Sequence, residues 1–122
     1  MIAVALQEVS CLMIPKQVKQ NILILGGGFA GVKCARRLRQ LLPEDRFNIV
    51  VFNRENHMVF HPLLAEVASA AVQPKDVGAP LRQLLHKVQC RTEDILNIDL
   101  DNDLVEYEAH DGKRRQMNFD QV

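Results

Sequence analysis

Gly26, Gly28 and Gly31 stand in the spacing G-x-G-x-x-G. This spacing acts through missing side chains. The first glycine permits a tight exit from a strand, the second lets a pyrophosphate approach the backbone, and the third lets a helix pack close to the strand it follows. A helix that starts there also offers N–H groups and the positive end of its dipole to an anion. A bare glycine-rich turn has the same letters, so the context decides.

The context fits. Ile22 to Leu25 is a short aliphatic run, as expected of a strand buried on both faces of a parallel sheet. After the glycines, Val32, Ala35, Leu38, Leu41 and Leu42 fall on one helical face, with Lys33, Arg36, Arg37 and Arg39 elsewhere, and Pro43 closes the helix. A second strand-like run, Phe47 to Phe52, follows. Strand, glycine turn, helix and strand together define a dinucleotide-binding unit.

The end of the second strand normally carries a carboxylate for the ribose hydroxyls, about 20 residues past the glycines. Here it is Asn53, followed by Arg54 and Glu55. Asn53 is the favoured ribose contact because the apolar run stops just before it; Glu55 is the alternative if the strand continues. Residues 54–61 read as a polar loop in which His57 and His61 are solvated rather than metal ligands, since no cysteine or carboxylate cluster completes a site. Pro62 suits a first helical turn, with Leu63, Leu64, Val67, Ala68 and Ala71 as its apolar face. Gln73-Pro74 breaks it; Asp76 is a candidate cap, Pro80 lies near a helix start, and Leu81, Leu84 and Leu85 face inward.

From Val88 the period changes to two. Val88 to Arg91 is expected to rejoin the parallel sheet. Ile95, Ile98 and Leu100, then Leu104, Val105 and Tyr107, then Met117 and Phe119 read as an antiparallel meander, with turns at 101–103 and 110–113. The acidic residues there lack the glycine and terminal glutamate of a calcium loop. The expected fold is α/β: a Rossmann-like βαβ unit in a three-layer core, with Ile22–Leu25 inside the sheet, followed by a β-meander.

The 122 residues allow one domain, and 15 Lys and Arg balance 15 Asp and Glu, so net charge gives no support to a nucleic-acid partner. Cys11, Cys34 and Cys90 are odd in number, widely spaced and without C-x-x-C, which fits a reducing, cytoplasmic-facing compartment. Cys34 and Cys90 read as small buried packing groups. No apolar run reaches the roughly 18 residues of a membrane span. Residues 1–19 read as a loose leader, within which Met13 is an alternative start, and residues 20–122 as the domain.

At this point three stretches become familiar: Ile24-Leu25-Gly26-Gly27-Gly28-Phe29-Ala30-Gly31, Val51-Phe52-Asn53-Arg54-Glu55-Asn56-His57, and Phe60-His61-Pro62-Leu63-Leu64-Ala65-Glu66-Val67-Ala68. They resemble the start of the single-subunit type II NADH dehydrogenases, in the pyridine nucleotide-disulfide oxidoreductase family of FAD-dependent enzymes. The resemblance runs from about Asn21 to the end. It implies FAD as cofactor, with Gly26, Gly28, Phe29, Ala30 and Gly31 around the pyrophosphate, Asn53 and Arg54 by the adenosine, and His61 and Pro62 near the flavin ring. It implies hydride transfer from NADH to FAD and onward transfer to a membrane quinone. Residues 54–86 contain no cysteine, which disfavours the thiol–disulfide chemistry of related enzymes.

Such enzymes are several times longer. The resemblance therefore implies a partial FAD domain, stopping before its last strand, with the NADH, quinone and membrane-contacting parts elsewhere. An open edge beside Ile22–Leu25 invites pairing with another chain, such as a homodimer. The competing reading is a non-enzymatic or inactive nucleotide-binding fragment. In the full-length enzyme the expected location is cytoplasmic, or peripheral on the inner face of a membrane.

Overall fold

The computed structural model of the chain describes residues 18–59, 61–73 and 77–122. Most of the expected leader, with Cys11 and Met13, lies outside them, as do Phe60, Pro74 and Asp76. The elements run β1 (Gln20–Leu25), α1 (Phe29–Leu41), β2 (Phe47–Asn53), β3 (His57–Val59), a 3-10 turn (His61–Leu63), α2 (Leu64–Ala68), β4 (Gly78–Pro80), α3 (Leu81–Leu84), β5 (Gln89–Thr92), β6 (Asp94–Asp99), β7 (Leu104–Glu108) and β8 (Arg114–Asn118).

β2 is the middle of a parallel sheet in the order β1-β2-β5. Ile22 lies opposite Ile49 and Leu25 opposite Phe52, while Val50 faces Gln89 and Asn53 faces Thr92. Four successive residues of β2, Ile49 to Phe52, are each no more than 1% exposed. Side chains alternate along a strand, so this run feeds two cores. Ile49 and Val51 pack with Val32 and Ala35 of α1 and with Leu81 and Leu85. Val50 and Phe52 pack on the other face with Leu23, Val105, Tyr107 and Phe119. The result is the three-layer arrangement expected: helices, parallel sheet, meander.

The meander is antiparallel in the order β6-β7-β8, with a bulge between Ile95 and Asn97. Arg91 ties it to β5: one guanidinium nitrogen lies 3.2 Å from Glu93 and donates to the Tyr107 hydroxyl at 3.1 Å. The same guanidinium stands 5.4 Å from the Tyr107 ring centre and 6.0 Å from that of Phe52.

β1 is the outermost of the three parallel strands, contrary to the interior position expected. Its outer edge is partly covered. Ile22 bridges in parallel to Gln121, Leu23 N–H donates to the Gln121 carbonyl at 2.8 Å, and Asn21 N–H donates to the Asp120 carboxylate at 2.7 Å.

Other expectations need correction. Residues 54–61 are not simply a loop, because β3 pairs antiparallel with β4, Met58 opposite Ala79. That pairing joins positions 19 to 23 residues apart, from Val59–Gly78 to His57–Pro80, and leaves no local period. α2 forms where the apolar pattern placed a helix, but none of its residues is buried, and Leu64 is exposed. In α1, Leu41 is exposed, one turn beyond the sheet's cover. Cys34 is also exposed; it sits nearly opposite Val32 on the helix, and the inward place beside it goes to Ala35. Cys90 is half-buried in β5, where burial pushes its thiol pKa up against the opposing pull of Arg82.

Candidate functional site

The C-terminal ends of β1 and β2 lie side by side, so the loops leaving them converge. Gly26 N–H donates to the Phe52 carbonyl at 2.8 Å, fixing the exit of β1. The glycines of this turn have different reasons for being glycine. Gly26 has φ +110°, a conformation that L side chains rarely adopt. A Cβ on Gly27 would stand 2.7 Å from Leu81 Cδ1 and 3.0 Å from Asn53 Cγ. A Cβ on Gly31 would stand 1.9 Å from the Gly26 carbonyl oxygen, so Gly31 lets α1 rest on the turn.

Gly28 is the exception. Its φ of −78° and ψ of −169° are ordinary extended backbone, and a Cβ there would meet nothing within 4 Å. Neither its conformation nor packing among the described residues calls for a glycine at this position. Gly28 is the N-cap of α1, which has no side-chain cap and no acidic residue in its first turn.

In front of Gly28 is a cleft of about 390 Å³, lined by Gly27, Gly28, Phe29, Asn53, Arg54, Glu55, His57, Met58 and His61. Of the residues singled out in the sequence as cofactor contacts, it gathers Gly28, Phe29, Asn53, Arg54 and His61, together with Glu55, the alternative to Asn53. Gly26 borders a neighbouring cleft of about 270 Å³, which Asn53 and Arg54 also line. Gly31 stands behind the turn, and Ala30 and Pro62, though exposed, form no part of the cleft wall. Gly27 and Met58 are wall residues that the sequence did not single out, and His57, expected as a solvated loop residue, joins them. For Gly27 the signal was its place inside the motif; for His57 and Met58 it was masked by the β3–β4 pairing.

The polar groups of the cleft are linked. Asn53 Oδ1 accepts from Gly27 N–H at 3.1 Å, and its Nδ2 donates to the Glu55 carbonyl at 2.7 Å. Glu55 Oε2 lies 2.9 Å from His57 Nε2, so His57 is not merely solvated. Arg54 pairs with Asp94 at 3.0 Å, both well exposed. A smaller cleft of about 230 Å³ lies between the end of α1 and α3, but its Arg39 is committed to the carbonyls of Leu42 and Phe47. Among the described residues no cluster could hold a metal ion, and no helix is long and apolar enough to cross a membrane.

The βαβ unit, with its uncapped helix start and open cleft at the strand ends, is a Rossmann-type arrangement. The family model described as "Pyridine nucleotide-disulphide oxidoreductase" matches residues 20–122, and the chain belongs to that family. It is 32% identical over 108 residues to the demethylphylloquinone reductase NdbB of Synechocystis sp., covering 85% of this chain and 27% of that protein. It is 29% identical over 85 residues to the type II NADH:quinone oxidoreductase Ndh of Mycobacterium tuberculosis, covering 67% of this chain and 18% of that one. Among solved structures, NDH2 from Plasmodium falciparum in complex with NADH superposes with a TM-score of 0.72 at 14% identity, covering 84% of this chain and 21% of that one. The sulfide:quinone oxidoreductase from Aquifex aeolicus gives a TM-score of 0.69 at 23% identity, covering 83% and 23%. The chain thus spans about a quarter or less of these relatives.

Proposed function

We propose that these residues are the FAD-binding part of an NADH:quinone oxidoreductase-like flavoprotein. The observation that carries this is Gly28, whose missing side chain serves no packing or backbone need among the described residues and faces open space at a helix start without a side-chain cap. A pyrophosphate in that space would receive backbone N–H groups and the helix dipole. On this reading the Gly26–Gly31 turn holds the phosphates, with Phe29 and Ala30 opening the helix beneath them. Asn53 and Arg54 lie at the adenosine end, and His61 and Pro62 stand toward the flavin. Bound FAD would supply the hydride-accepting chemistry; the residues here bind and orient it. The named quinone reductases among the relatives support a quinone as final acceptor; a peripheral place at a membrane is part of the same proposal, with quinone and membrane contacts outside these residues.

Gly28→Val tests the reading. Valine fits the backbone at this position and its Cβ has room, so the melting temperature should stay within a few degrees. FAD retention, read as yellow absorbance on purification or by titration, should be lost. Wild-type flavin content in a folded G28V protein would refute the proposal.

A further inference from the structure

The residue that closes the second strand is normally read as the acceptor for the ribose hydroxyls, and here its side chain is already committed. Gly27 N–H is a donor and must meet oxygen; the Glu55 carbonyl is an acceptor and must meet the amide nitrogen. The two hydrogen bonds, 3.1 Å and 2.7 Å, therefore fix which way the Asn53 amide points and use both of its ends. The glycine turn also packs on this amide, with a Cβ at Gly27 falling 3.0 Å from Asn53 Cγ. A carboxylate at position 53 would set an oxygen against the Glu55 carbonyl oxygen, where Nδ2 now donates.

Glu55 is the carboxylate among the residues lining the same cleft. One of its oxygens, Oε2, meets His57 Nε2 at 2.9 Å, which leaves Oε1 without a partner among the described residues. A vicinal diol is best met by an ionised carboxylate, whose hydrogen bonds are about twice as strong as neutral ones. We infer that Glu55 accepts the ribose hydroxyls of the bound dinucleotide, while Asn53 is a positioning residue that ties the phosphate turn to the Glu55 backbone. The inference rests on the reading that this cleft holds a dinucleotide.

The test compares ADP with 2′,3′-dideoxy-ADP by calorimetric titration of the 122-residue chain and its variants. The wild type should prefer ADP by roughly tenfold or more. In E55A, where the replaced side chain is exposed and folding is not at stake, that preference should fall to about one. N53A should weaken both ligands together and leave the ratio intact; N53D should also weaken both, despite restoring a carboxylate. If N53A does not fold by circular dichroism, the E55A ratio decides alone. A ratio preserved in E55A overturns the inference, as does a wild type that binds ADP without preference; both leave the dinucleotide reading standing. A wild type that binds neither ADP nor FAD overturns that reading and the inference together.

Discussion

Gly31 and Gly28 carry the same letter for opposite reasons. Gly31→Ala drives a methyl into a backbone carbonyl that has no room to retreat. It should cost on the order of 3 kcal/mol, seen as a fall of more than about 10 °C in melting temperature. Gly28→Ala should be neutral or stabilising by about 0.5 kcal/mol, since the residue already has ordinary backbone angles and its unfolded state loses freedom. Equal melting temperatures for the two variants would contradict this assignment. The spacing of the glycines was legible in the sequence, and so was Asn53 as the end of the strand. The use of both ends of its amide was not, because that depends on Gly27 and Glu55 arriving from two directions. Nor was the exposure of Cys34: a small sulfur side chain one position from the buried stripe has the composition of a core residue and the phase of a surface one.

At the scale of elements, the parts with a local period were readable. β1, α1, β2, β5 and the meander all lie within a residue or two of their expected places, since each is marked by an unbroken apolar run or by alternation. The β3–β4 ribbon was not, since three residues paired with three others across a long interval make no pattern. α2 differs in another way: the helix forms where helical spacing placed it, but none of its residues is buried among the described residues. The β6–β7 turn gives an element-scale prediction. The Asn102 side chain and backbone, with help from the Asp101 backbone, hold the Asp99 carboxyl below the usual aspartate range. A carboxyl lowered in the folded state stabilises above its unfolded value and loses that contribution as pH falls through the folded one. Amide protection of Leu104 and Val105 should therefore decline below about pH 4 in the wild type. In Asp99→Ala it should be lower from the start and flat over the same range. Parallel acid profiles for the two proteins would exclude the turn as the cause.

For the whole molecule, the two cores share one strand. β2 supplies Ile49 and Val51 to one and Val50 and Phe52 to the other, so neither layer keeps its core if the sheet opens. The family was legible because its marks are consecutive letters around the turn and after β2. The site's walls were less so, because they come from α1, β2 and β3 together. These 122 residues contain a single GxGxxG, and Gly78 and Gly112 stand alone. Hydride transfer needs a nicotinamide held roughly 3–3.5 Å from the flavin, and no second dinucleotide turn is present to hold it. The purified chain with added FAD should therefore give no NADH-dependent quinone reduction above the free-flavin background. Turnover above that level would assign a direct role in the reaction to His57, His61 or Glu66.

Gly28 has a consequence for how such a chain can change over generations. A single base change can turn a glycine codon into one for alanine or valine. At Gly31 that change is visible to any quality control that senses unfolding. At Gly28 a Cβ meets no described atom within 4 Å, so on the proposed reading the change would be felt by the ligand rather than by the fold. If the turn holds FAD as proposed, a lineage could lose the cofactor while keeping the fold, and nothing in cellular abundance would report the loss. On that reading, selection on flavin binding is what would keep position 28 as glycine.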